Sequence, residues 1–253
     1  MRRAARLALG CVLLLGGIVD PVPAGAAAAR GSVQRDGAAV LAATRDRVIA
    51  AIDRRVQDLS AARAALDRAA GVPGAHRSGL DAELDADMAG LQRLRGGVTA
   101  APDVAAVRSS AKAVVDDYRV YALELPKVHQ VIAADSIVLA SSRLQDVTRQ
   151  VGRALDAEQA SGVDVTTRRA AAASVTSSLD SVTTSSSGRA QALLALTPSG
   201  YPESAATLRT ARAAERADRE AVRVAKDRLA TLVHEIGGGP TATTTSVVVR
   251  ATT

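Results

Sequence analysis

The sequence predicts an all-α fold: an elongated antiparallel helix bundle or coiled coil with one long helix kinked at a proline. Three observations carry that expectation. Apolar residues recur in alternating steps of three and four along most of the chain between residues 35 and 236. Aromatic side chains are almost absent, with three Tyr, no Phe and no Trp, so a core must be built from Ala, Leu and Val, which suits closely approaching helices. The periodic stretches are interrupted at Gly and Pro, where helices stop or bend.

Residues 1–26 have the organisation of a secretory signal peptide. Arg2, Arg3 and Arg6 give a positive start, Leu7 to Val19 an apolar stretch, and Ala24-Gly25-Ala26 a cleavage motif, with cutting possible up to Ala29. The apolar stretch is too short for a membrane-spanning helix. Cys11, preceded by Ala-Leu-Gly, suggests a lipoprotein cysteine instead. That reading is set aside because the apolar run continues to Val19, and cutting at Cys11 would leave most of it on the product. The mature chain then has no cysteine, so helix packing without disulfides must hold an exported protein together. Residues 27–34 read as a disordered N-terminus and 35–236 as one helical bundle domain.

The first helix is predicted over 35–69, with Leu41, Arg45, Val48, Ile52, Arg55, Leu59, Ala62 and Leu66 on one stripe. The two arginines suit a seam edge, where their stems lie on apolar surface. Gly71, Pro73 and Gly74 end it. A second helix, over 78–95, turns Leu80, Leu84, Met88, Leu91 and Leu94 inward, and Gly96, Gly97 and Pro102 form the next turn. Asp85, Asp87 and Gly90 occupy positions 1, 3 and 6 of a calcium-loop frame. Position 12 is Gly96, however, and Ala89 replaces a ligand, so the acidic run reads as a helix N-terminal feature.

A long helix is predicted over 103–160. Val104, Val107, Ala111, Val114, Tyr118, Tyr121 and Leu125 share one face, which puts both tyrosines on the buried stripe. Pro126 must bend this helix, and the pattern resumes at Val128, Val131 and Ile132. Gly162 breaks the chain again. A Ser/Thr-rich helix over 164–196 has a thin stripe of Val175, Leu179, Val182, Leu193 and Leu194 and is expected to be the least stable. After a loop over 197–202, a last helix over 203–236 carries Leu208, Ala211, Glu215, Asp218, Val222, Ala225, Leu229, Leu232 and Ile236. Residues 237–253 read as a disordered Thr-rich tail.

The formal net charge is +6, and 29 of the 32 basic residues are Arg. Cleavage after Ala26 would remove Arg2, Arg3, Arg6 and Asp20, leaving 29 basic against 25 acidic side chains, or +4. These charges interleave along the helices as on solvated faces. There is no basic block and no aromatic platform for stacking bases, which argues against nucleic acid as a partner. The motifs of serine hydrolases, zinc proteases, P-loops and dinucleotide-binding domains are absent from the sequence. His76, His129 and His234 are isolated and lack zinc spacing, so neither a metal nor a cofactor is expected.

The distinctive residues concentrate at 116–135. Asp117-Tyr118-Arg119-Val120-Tyr121, Pro126-Lys127-Val128-His129, Ala133-Ala134-Asp135 and the downstream Leu196-Thr197-Pro198-Ser199-Gly200-Tyr201-Pro202 resemble a group of uncharacterised, exported, all-helical bacterial proteins frequent in high-GC Gram-positives. The resemblance implies export and helical architecture and supplies no activity. Glu124 departs from the apolar residue it implies at that position.

Tyr118, Arg119, Tyr121, His129 and Asp135 flank the expected bend and are the candidate site. They read either as a recognition cluster for a ligand or partner, or as a buried network in which the tyrosines and His129 satisfy Asp135. The expected function is a non-catalytic exported bundle with a structural or protein-binding role in the cell envelope or extracellular space. The alternatives are a module for anionic wall polymers or lipid headgroups bound through Arg-rich helix faces, and an enzyme with its site at the Pro126 bend. The expected partner is an envelope or extracellular protein, and no integral membrane span is expected in the mature chain.

Overall fold

The computed structural model describes residues 24–237; the predicted leader with Cys11 lies largely, and the Thr-rich tail almost wholly, outside them. Residues up to Ala43 form one compact unit and those from Thr44 a second. The described part of the first unit is helical and belongs to α1 (Ala24–Arg68). This helix includes 27–34, which the sequence reading left irregular. Ala is the strongest helix former and no proline falls between Ala24 and Arg68, so the helix extends beyond the apolar pattern.

In the second unit α1 is followed by α2 (Gly74–Ala100), α3 (Val104–Asp116), a five-residue π-helical turn (Val120–Glu124), α4 (Leu125–Ala160), α5 (Thr166–Leu194), a short 3-10 turn (Pro198–Gly200) and α6 (Glu203–Gly237). No strand occurs among the described residues.

Sequential helices pack antiparallel, and cross-helix pairs fix the directions. Between α1 and α2, Asp53 pairs with Arg95, Ser60 meets Met88 and Arg63 pairs with Asp85, so residue numbers rise on one helix as they fall on the other. Ile52, Leu59 and Leu66 of α1 are buried, as are Leu80, Leu84, Leu91 and Val98 of α2. Arg55 donates to the Ala51 carbonyl and covers the Tyr121 ring, the seam-edge position expected of it.

The same ordering relates α2 to the chain around α4. His76 meets Asp135, Glu83 meets Lys127, and Gly90 lies beneath the Tyr118 ring. Further along, Gln145–Asp180, Asp156–Arg169 and Glu158–Arg168 align α4 with α5. Val151 and Leu155 of α4, Val175 and Leu179 of α5, and Ala225, Leu229 and Leu232 of α6 then form one apolar cluster. α4 therefore serves two sets of neighbours, α2 through its first turns and α5 with α6 through its second half. In the Ser/Thr-rich α5, Thr176 and Thr183 donate back to the carbonyls four residues earlier, so their hydroxyls need no partner on another helix.

Two expected boundaries move. α2 runs through Gly96 and Gly97 instead of turning there. Val98 beyond them is fully buried and Thr99 donates to the Arg95 carbonyl, so packing of the last turn overrides the weak helix propensity of glycine. The turn falls at 101–103, where Asp103 caps α3 by accepting from the Ala106 amide at 2.8 Å.

The second change is larger. The predicted single helix over 103–160 is interrupted at 117–119. Arg119 adopts a left-handed conformation (φ 40°), and its carbonyl accepts from the amides of Ala122 and Leu123 at 3.0 and 2.8 Å. Pro126 sits in the first turn of α4, where a missing N–H costs nothing. The adjustment is made upstream of the proline, in the widened π turn, whose last bond runs from the Leu125 amide to the Val120 carbonyl.

Among the described helix glycines from Gly37 onward, Gly90 is the one that a close approach requires. A Cβ built there would collide with the Tyr118 hydroxyl and lie 2.7 Å from the ring. Gly90→Ala gains about 1 kcal/mol of helix propensity, but overpacking of this kind costs about 1–3 kcal/mol. The expected outcome is a lower thermal midpoint. An unchanged or raised midpoint would mean that the Tyr118 ring has room to move away.

Candidate functional site

At the junction of α2, the π turn, α4 and the end of α5 lies a buried charged cluster. Lys127 and Glu124 are 1 % and 3 % exposed. The Lys127 ammonium lies 2.5 Å from Glu83 Oε2 and 3.1 Å from Glu124 Oε2, and donates to the Leu196 carbonyl at 3.2 Å. Helical spacing brings Glu124 and Lys127 together, three residues apart across the start of α4. Glu83 reaches them from α2 and is half-exposed.

Burial and the neighbouring carboxylates set the protonation states here. Burial, only partly offset by Lys127, raises the Glu124 carboxyl. Burial alone would depress the Lys127 ammonium, but Glu83 and Glu124 hold it above its ordinary value. Asp87, one turn beyond Glu83, is pushed from 3.8 to about 7, first by burial and then by the charge of Glu124, with Lys127 acting in the opposite direction. Three carboxyls thus face one ammonium, and a proton on Asp87 brings the cluster closer to neutrality. Among the described residues, no group of three or more His, Cys, Asp or Glu could hold a metal ion.

The five candidate residues do not form one network. Asp135 is buried, but its partner is His76 of α2, whose Nδ1 lies 3.0 Å from Asp135 Oδ2; burial raises the Asp135 carboxyl and His76 opposes the shift. His129 is exposed. Six residues of helix separate it from Asp135, which sets the two roughly 120° apart around α4. Tyr118 is half-buried against Gly90. Tyr121, expected inside, is 46 % exposed and donates to Asp58 of α1 at 2.7 Å. The break at 117–119 resets the helical phase, so the stripe counted up to Tyr118 does not continue to Tyr121. Arg119 stacks on the Tyr201 ring, 4.2 Å from its centroid, and ties the break to the loop before α6.

A second buried pair links α5 to α6. Arg189 Nη1 lies 2.6 Å from Asp218 Oδ2, and Ser186 donates to the same oxygen at 2.9 Å. Asp218 was placed on the inner stripe from its spacing, but Arg189 had no such signal. Sequence reasoning also missed Lys127, Glu124, Asp87 and His76. Asp87 could have been found, since it lies three residues from Leu84 and four from Leu91 on the apolar stripe of α2. An open surface groove of about 550 Å³ runs between α5 and α6, lined in part by Ser174, Ser178, Ser181 and Asp218.

No family model, curated protein or solved structure matches the chain. No helix among the described residues is long and apolar enough to cross a membrane.

Two measurements probe the cluster. Lys127→Met strands the buried Glu124 carboxylate without its partner and is expected to cost about 3–5 kcal/mol, whereas Lys127→Met combined with Glu124→Leu is expected to recover most of that loss. Urea denaturation of the single and double variants measures both values. A single variant as stable as the parent would show that the ammonium is dispensable.

Asp87 sets a pH dependence. Its carboxyl titrates near 3.8 when unfolded and near 7 when folded, so the folded chain keeps a proton that the unfolded chain has lost. This contribution is complete below about pH 4 and is lost as pH rises through about 7. The thermal midpoint should therefore fall between pH 5 and 8, and the fall should be smaller in Asp87→Asn. Equal slopes in the two proteins would remove Asp87 as the cause.

Proposed function

We propose that the chain is an exported, non-catalytic helical bundle with a structural or protein-binding role in the cell envelope or extracellular space. One observation carries the reading. The four buried charged side chains among the described residues, Glu124, Lys127, Asp135 and Arg189, are all held by ion pairs or hydrogen bonds within the fold. Lys127, Asp135 and Arg189 each reach a second helix, through Glu83, His76 and Asp218. These three side chains are thus engaged in joining helices. The Arg-flanked apolar leader and its Ala24-Gly25-Ala26 motif support export.

The part of the 116–135 stretch left for recognition is its outer surface, with Tyr121 exposed on the π turn and His129 near the start of α4. A second reading, a module for anionic wall polymers or lipid headgroups, is favoured by a separate observation: unpaired arginines along the outer face of α6.

Fractionation of the native host with N-terminal sequencing tests export. The mature chain is expected in the extracellular or envelope fraction, beginning between Ala27 and Arg30. A cytosolic chain retaining its leader would overturn the proposal. In the same cells, His129→Ala should leave the thermal midpoint of the purified protein unchanged while weakening cross-linking to any envelope protein that contacts this surface.

A further inference from the structure

The charges of α6 are arranged unlike those of its neighbours. Arg209, Arg212, Arg216, Arg219, Arg223 and Lys226 follow one another in steps of 3, 4, 3, 4 and 3 residues and are all exposed. That spacing lays them in one row along the helix, about 26 Å long at 1.5 Å per residue. The apolar face of α6, with Leu208, Ala211, Ala225, Leu229 and Leu232, is buried, so the row stands on an outer face.

Within the row only Arg219 and Arg223 are paired. Arg223 is held by Glu220 at 2.6 Å and by Asp227 at 2.9 Å, and Arg219 by Glu215 at 2.7 Å. Arg209, Arg212 and Arg216 have no ion pair or hydrogen-bond acceptor among the described residues. The fold gives no reason for this grouping. Like charges four residues apart, as in Arg212 and Arg216, weaken a helix, and none of the three guanidiniums joins α6 to another helix.

We propose that this row is a docking surface for a linear, phosphate-bearing polyanion that lacks bases. The proposal rests on the second reading given above and names its surface and partner chemistry. Guanidinium forks bind phosphate oxygens in pairs, and successive cations rise by about 4.5–6 Å along the axis, so a chain with regularly repeated charges can meet several at once. The linear arrangement favours a polymer over a membrane surface. An interfacial helix needs apolar residues to insert, whereas those of α6 face the core and Val233, its one exposed large apolar residue, lies beyond the row. Nucleic acid fits less well, because no aromatic side chain lies on α6 to stack bases.

The test uses the mature chain and long-chain inorganic polyphosphate, with binding followed by titration at several salt concentrations. Binding should weaken steeply with salt as counterions are released. The triple variant Arg209→Gln, Arg212→Gln and Arg216→Gln should bind at least about 10-fold more weakly and show a shallower salt slope. A control with the same net charge, Arg54→Gln, Arg108→Gln and Arg143→Gln, alters exposed arginines on other helices and should stay within about 2-fold of the parent.

Equal losses in the two triple variants would reduce the effect to net charge and overturn the proposal, as would no binding by the parent chain. Tighter binding of anionic phospholipid vesicles or of a single-stranded oligonucleotide would assign the row to a different partner. Thermal midpoints of the variants keep the outcomes separate, because a failed docking surface leaves the buried ion pairs and the structural reading untouched.

Discussion

The Lys127 ammonium lies where four segments converge: α2 through Glu83, the π turn through Glu124, α4 through its own backbone, and the end of α5 through the Leu196 carbonyl. A buried cation is costly unless its donors are filled, and this one has three acceptors for its three protons. Its position near the start of α4 means that the proline, the widened turn and the break at 117–119 all act on the placement of a single side chain. A continuous helix through this region would turn Glu124 and Lys127 to different directions relative to α2. The irregular backbone and the buried pair are therefore parts of one arrangement.

The break has a second consequence, at the surface. Because the helical phase restarts after Arg119, Tyr121 points outward, where Arg55 covers its ring and Asp58 accepts its hydroxyl proton. Arg119, in its left-handed conformation, lays its guanidinium on Tyr201. The interruption is thus fastened to α1 on one side and to the loop before α6 on the other. The stretch that stands out in the sequence does so because several helices use it as an anchor. All three tyrosines of the chain are engaged around this one break.

The all-α class was legible because a period of three and four sustained over many turns admits no other element, and the start of a helix at 103 and the Gly162 break fell where the sequence placed them. Gly96 and Gly97 misled because glycine weakens a helix by only about 1 kcal/mol, which burial of Val98 outweighs. Pro126 is a different case. Its constraint is real, but it is met by a π turn placed before it, and nothing in the residue pattern separates that solution from a kink. The candidate site was half legible. The distinctive residues at 116–135 stand out in the sequence, yet the pairing of Asp135 with His76 and of Lys127 with Glu83 depends on the register between α2 and α4, which period alone does not give.

That register explains why a core of Ala, Leu and Val carries buried charge. Apolar stripes with a near-heptad repeat are almost indifferent to sliding by seven residues, since leucine then meets another leucine. The polar pairs are not indifferent. Slide α2 seven residues one way, and Lys127 faces Gly90 while Asp135 faces Glu83, a buried carboxylate against another carboxylate. Slide it the other way, and Lys127 faces His76 while Asp135 faces Ala69, so Asp135 loses its partner and Lys127 loses Glu83. The Tyr118 ring adds a steric condition, because only a residue without a Cβ fits beneath it at Gly90. An isolated buried pair adds little net stability, but each of these errors leaves a desolvated charge unpaired. In an aromatic-poor bundle, where shape alone distinguishes few alignments, the penalty on wrong registers is what the buried charges contribute.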